Sequence, residues 1–160
     1  MVKSKVNTMS MNLEKAESAL ELGRAITEMK SIMRQKIQAK INRLDPELSF
    51  ELIEIIGLLW RKDGINQQEI GDHISKDKSS VTYLINALVS KDLVKRTPHK
   101  TDRRHKLIFL TSRGKHIRQE IYPLVLECYE AACGDIDLMA IHENTLLIRQ
   151  MTMNLQQLKA

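Results

Sequence analysis

Apolar residues recur at mostly three- and four-residue steps through Leu13, Ala16, Leu20, Met29, Met33, Ile37, Ile41 and Leu44. That period predicts one long amphipathic helix, closed by Asp45–Pro46 because proline disfavours helical geometry in the residue before it. Residues 1–11 are polar and read as a flexible N-terminus, with a single domain over 12–160. Ser49 is the expected N-cap of a second helix, "FELIEIIGLLW" (50–60). It is apolar nearly all round and so is expected at the centre of the core.

Asn66 and Glu69 in "INQQEIGDHI" (65–74) have the spacing of a capping box and open a short helix. A "SKD" turn leads to "KSSVTYLINALVSK" (78–91), with Asp77 as candidate N-cap. Val81, Leu84, Ile85 and Leu88 form its buried stripe. The opposite face carries Lys78, Ser79, Ser80, Thr82, Tyr83 and Asn86, short polar and aromatic groups in place of the Glu/Lys pairs of a merely solvated helix. Two β-leaning runs follow, "LVKRTP" (93–98) and "LIFLT" (107–111), and the polar stretch between them predicts a hairpin. Thr111 is the expected N-cap of a fifth helix reaching about Cys133, with a kink at Pro123. "GDID" (134–137) breaks the chain. A last helix then aligns Leu138, Ile141, Ile148, Met151, Leu155 and Leu158.

Charge sharpens this picture. The net charge is +5, but Lys76 to Arg118 holds 12 Lys/Arg and 3 acids, so one third of the chain carries the positive field and the flanks are acidic. The densest part is the hairpin tip, "HKTDRRHK" (99–106), with four Lys/Arg, two His and the single acid Asp102. Such a distribution suits a polyanion. A helix fits the major groove of DNA, and its first residues reach the base edges. A basic tip reaches an adjacent minor groove, where a narrow A·T-rich stretch attracts Arg. Asp102 beside Arg103 and Arg104 can hold one guanidinium and aim the other.

Helix, short turn, helix and basic two-stranded tip is the order of a winged helix-turn-helix. The runs "SSVT", "KDLVKR" and "DRRHK" with "LTSRGK" resemble the MarR family of bacterial transcription regulators, and the likeness extends from about residue 13 to 158. The resemblance implies a mainly α fold with a small β-hairpin wing. The winged module would span about 49–111, flanked by dimerisation helices at about 12–44 and 112–160. It further implies a homodimer on a pseudo-palindromic site in double-stranded DNA, most often as a repressor released by a small phenolic or lipophilic ligand. Carried over by position, Lys78, Ser79, Ser80, Thr82, Tyr83 and Asn86 face the major groove. Arg103 and Arg104 belong to the wing tip, with Asp102 as their support. Tyr83 stands where the family often has Arg, Val89 where a Glu is common, and Asp92 where a Gly precedes the wing strand. Asp tolerates the positive φ of that turn better than most residues.

Other candidate chemistry is thin. Cys128 and Cys133 read as helical core thiols rather than a redox pair, and a reducing, cytoplasmic compartment is the default. The five histidines show no metal-ligand spacing, so neither metal nor cofactor is implied. Met33 and Met29 read as core filling ahead of a ligand pocket, and no ligand-binding residue is assigned. There is no Gly-rich phosphate loop, nucleophile elbow or carboxylate cluster, which argues against an enzyme. No apolar run reaches the roughly 18 residues of a membrane span, and "MVKSKVNTMSMN" lacks the apolar core of a signal peptide. An architectural binder using the same basic face, and a helical interaction protein, remain the competing classes.

Overall fold

The computed structural model describes residues 2–98 and 106–158, with side chains from Asn12 onward. Its elements are α1 (Val2–Leu44), α2 (Phe50–Arg61), β1 (Ile65–Asn66), α3 (Gln67–Ile74), α4 (Lys78–Ser90), β2 (Val94–Pro98), β3 (Lys106–Leu110), α5 (Ser112–Cys133) and α6 (Leu138–Gln156). The chain divides into a larger unit ending at Cys128 and a smaller one from Tyr129.

Helix α1 closes at Asp45 as the proline predicts, but it begins at Val2, well before Leu13. Nothing in residues 2–11 breaks a helix, since neither Pro nor Gly occurs there. Only the last third of α1 is anchored: Met33, Ile37 and Ile41 are buried, whereas Leu13, Leu20, Met29 and Ile32 are exposed. Met33 therefore fills core as expected and Met29 does not. Helix α2 is the core's spine, with Leu52, Ile53, Ile55, Ile56, Leu58 and Leu59 all buried. Each side chain of this size contributes about 1.5–3 kcal/mol by leaving water. Around it pack Ile70 and Ile74 of α3, the expected stripe Val81, Leu84, Ile85 and Leu88 of α4, and Ile121 and Cys128 of α5.

Polar ties fix the helix ends. Ser49 caps α2 by accepting from the Leu52 amide, and Gln38 of α1 reaches across to accept from the Phe50 amide and donate to the Leu48 carbonyl. Lys40 of α1 pairs with Glu127 of α5 at 2.6 Å, and the Arg118 guanidinium stacks on the Trp60 and Tyr122 rings.

The wing is more than the expected hairpin. It is a three-stranded antiparallel sheet of order β1-β3-β2, in which Ile65 faces Ile108 on one side and Arg96 faces Ile108 on the other. Strand β1 is only two residues long, too short for any periodicity. The Asp63 carboxylate accepts from the Leu110 amide at 3.0 Å and Gly64 donates to the Ile108 carbonyl, which hold the base of the sheet. Thr111 caps the next helix as expected, accepting from the Gly114 amide at 3.0 Å, and α5 runs on through Pro123. Asp92 adopts φ 55°, the turn conformation its position calls for. In the smaller unit α6 starts after Asp137 and buries none of its residues.

Candidate nucleic-acid interface

The site begins with two helix caps. Asn66 opens α3 by accepting from the Glu69 amide at 2.9 Å, and its own side-chain amide donates to the Glu69 carboxylate at 2.8 Å. Helix α3 ends at Ser75 in a left-handed conformation, with the Lys76 amide closing onto the Gly71 carbonyl. Two residues later Asp77 starts α4, so the turn between the helices is as short as the sequence predicts. Buried Val81 and Leu84 lock α4 against the core and leave its other face to solvent.

Asp77 takes more partners than an ordinary cap. Its carboxylate accepts from the Ser79 and Ser80 amides at 2.9 and 3.0 Å and from both of their hydroxyls, the Ser80 hydroxyl at 2.6 Å. The Ser79 and Ser80 hydroxyls, then the amides, hold this carboxyl well below the usual Asp range. The chemical consequence reaches the predicted contacts. Ser79 and Ser80 have committed their protons to Asp77, so outward they offer acceptor lone pairs only. Thr82 is committed in the same way, donating to the Lys78 carbonyl at 2.8 Å and accepting from the Gln67 amide at 3.3 Å. Ser80 and Thr82 are half-buried, while Lys78, Ser79, Tyr83 and Asn86 are exposed, Tyr83 by 74%.

Positive charge flanks this surface. Lys76, Lys78 and Lys106 line a cleft of about 430 Å³ between α3, α4 and β3, together with Gln67, Gln68 and Thr82. The ammonium groups and side-chain amides make it a donor-rich hollow that suits an oxyanion. A second cleft, of about 720 Å³, runs along the other side of α4 past Tyr83, with the Lys91–Glu47 ion pair in its lining. Wing residues Asp102, Arg103 and Arg104 lie outside the described residues. Sequence reasoning missed Arg96 of β2, whose guanidinium donates to the Asn86 side-chain oxygen at 2.6 Å. It also passed over Gln67, Gln68, Lys76 and Lys106. Their common signal is position: each lies within a few residues of a helix or strand end that borders α4.

No described helix is long and apolar enough to cross a membrane, and no cluster of three or more potential metal ligands occurs among the described residues. Residues 48–106 match the model of the MarR family. Among curated proteins, the regulator TtmR of Methylorubrum extorquens is 26% identical over 102 residues, 64% of this chain and 50% of the relative. MhqR of Bacillus subtilis is 33% identical over 69 residues, 43% of this chain and 48% of the relative. The chain thus spans about half the length of these two curated relatives. Both are HTH-type transcriptional regulators. Among solved structures, a MarR transcriptional regulator of Methanosarcina mazei Go1 superposes with TM-score 0.74 at 27% identity, covering 83% of this chain and 94% of that one. A mutant MarR of E. coli complexed with operator DNA gives TM-score 0.71 at 21% identity, over 81% and 92% of the two chains. Residues 48–106 thus match the MarR family, and most of the chain shares the winged helix-turn-helix fold of a MarR transcriptional regulator.

Proposed function

We propose that this protein is a homodimeric, sequence-specific DNA-binding regulator that represses transcription and is released by a small-molecule ligand. The observation that carries the DNA-binding part is the solvent face of α4, which presents Tyr83 and Asn86 beside a cleft lined by Lys76, Lys78 and Lys106. Helix α4 enters the major groove, a backbone phosphate settles in the lysine-lined cleft, and the tip with Arg103 and Arg104 reaches the minor groove, Asp102 steadying one of them. The E. coli structure complexed with operator DNA, which shares this fold, supports that docking.

Dimerisation is supported by apolar side chains that have no cover. Leu13, Leu20 and Ile32 of α1 and Leu138, Leu146 and Leu155 of α6 are all exposed. A second copy would bury them and set two α4 helices about one helical turn of DNA apart, ~34–36 Å, matching a pseudo-palindromic operator. A ligand that alters that spacing weakens both half-sites together, which is how repression would be relieved.

Selection of bound duplexes from a random DNA pool, followed by affinity against salt concentration, tests the reading. An inverted repeat with arms one turn apart is expected. Replacing Lys76, Lys78 or Lys106 by Ala should weaken binding about equally on all sequences and flatten the salt slope by about one counterion each. Equal binding to every duplex would identify a nonspecific architectural protein instead.

A further inference from the structure

The head of a helix is ordinarily a place for an anion. Its first amides have no partner within the helix and stand at the positive end of the helix dipole, which suits a phosphate. In α4 that place is already taken. The Asp77 carboxylate accepts from the Ser79 and Ser80 amides at 2.9 and 3.0 Å and from the hydroxyls of the same two residues. An amide and a hydroxyl carry one proton each, and a backbone phosphate can only accept, so these groups have no donor left for DNA. A phosphate could gain them only by displacing Asp77, and the displaced carboxylate would then face it as a like charge. Asp77 is exposed, and its bonds to Ser79 and Ser80 keep it ionised.

The residues on either side of Asp77 act in the opposite sense. Lys76 and Lys78 line the cleft that Lys106 completes, and Lys76 also lines the cleft on the other side of α4. Attraction for a phosphate is thus moved off the helix head and into the clefts beside it. On DNA of arbitrary sequence, affinity is nearly all phosphate attraction. A fixed negative charge at the head of α4 therefore weakens binding to every duplex. At an operator part of that loss is recovered, because Ser79 and Ser80 are already held in one arrangement when the bases arrive.

On the sequence-specific DNA-binding reading above, we infer that Asp77 is a specificity-setting positioning residue. It closes the head of α4 to backbone phosphates, holds down binding to random DNA and so widens the margin by which the operator is preferred.

The test measures the affinity of the full chain, at several salt concentrations, for a random duplex and for the duplex that selection from a random pool enriches. Asp77→Asn and Asp77→Ser both supply good N-caps, so α4 keeps its start and loses the charge. Each should bind the random duplex more tightly, by on the order of tenfold at low salt, with the gain shrinking as salt rises. Affinity for the enriched duplex should rise by less, so the ratio of the two falls. Glu28→Gln, on the exposed stretch of α1, changes the net charge by the same amount. It should leave random-duplex affinity within about twofold of wild type, since a charge beyond a Debye length is screened. A merely structural role for Asp77 gives the reverse result, affinity lost on both duplexes, and overturns the inference. So do neutral variants that bind the random duplex no tighter than Glu28→Gln, or that gain equally on both duplexes; each leaves the regulator reading intact. A wild type that enriches no sequence overturns both.

Discussion

Gly114 shows how little room one residue can have. It sits in the first turn of α5, and a Cβ there would lie 2.1 Å from the Leu93 carbonyl oxygen, backbone that no rotamer change can move aside. The same carbonyl accepts from the Thr111 amide at 3.1 Å, so shifting it would also disturb the junction between wing and α5. Gly114→Ala should therefore destabilise the protein by about 2–3 kcal/mol, the upper part of the range for overpacking. Gly23 is the contrasting case: it lies within α1, and its added Cβ would meet nothing within 4 Å. Gly23→Ala should stabilise by about 0.5–1 kcal/mol, because alanine restricts the unfolded chain more and suits a helix interior. Chemical denaturation of both variants checks the pair, and midpoints that move together in either direction would contradict it. Asp92 shows a third kind of constraint. Its φ of 55° agrees with what the family resemblance implied, an Asp standing where a Gly usually makes the turn before the wing strand.

At the scale of elements, the helices were legible because their signals are local. Ser49, Asn66 and Asp77 each cap the helix they were expected to open, and the four-residue stripe of α4 is buried as its period predicts. Strand β1 was not legible, because its two residues are selected by pairing with β3, more than forty positions away. The site divides in the same way. That α4 is the exposed polar helix follows from its pattern, but that Ser79, Ser80 and Thr82 use their hydroxyl protons internally depends on side-chain geometry no pattern encodes. Arg96 escaped because its bond to Asn86 is a contact between elements. Asp77 links these scales, being at once a cap and the organiser of the helix's first two hydroxyls. Its carboxyl is depressed in the folded state relative to an unfolded value of about 3.9. Its contribution is thus present above that value and lost as pH falls through the folded pKa. Thermal unfolding followed from pH 6 down to pH 2 should show wild type losing stability on the acid side. Asp77→Asn should start less stable near neutrality and lose less, since its amide does not titrate there. Parallel curves would mean that the carboxylate's charge contributes nothing.

The whole molecule poses the question of what its apolar surface is for. A soluble monomer rarely shows large contiguous apolar patches, and those it has are commonly interaction sites. Here α6 buries nothing, with Leu138 64% and Met139 66% exposed, and α1 leaves Leu13 and Leu20 in solvent, whereas Met33, Ile37 and Ile41 further along it are buried. Core formation does not account for that split, because the buried cluster around α2 draws on α1 only from Met33 onward and on α6 not at all. If the winged module is one functional half of the chain, these uncovered helices are the other, and the dimer proposed above would cover them with a second copy. Ending the chain at Gly134 removes α6 and leaves the buried cluster intact, so the winged module should still fold. The product should be a monomer or an aggregate, with affinity for an inverted-repeat duplex falling towards that of a single half-site. Light scattering after size exclusion, with DNA binding on the same fractions, measures both properties. A soluble dimer that binds the full site at wild-type affinity would show that α6 has no part in assembly, and the search for its partner would move elsewhere.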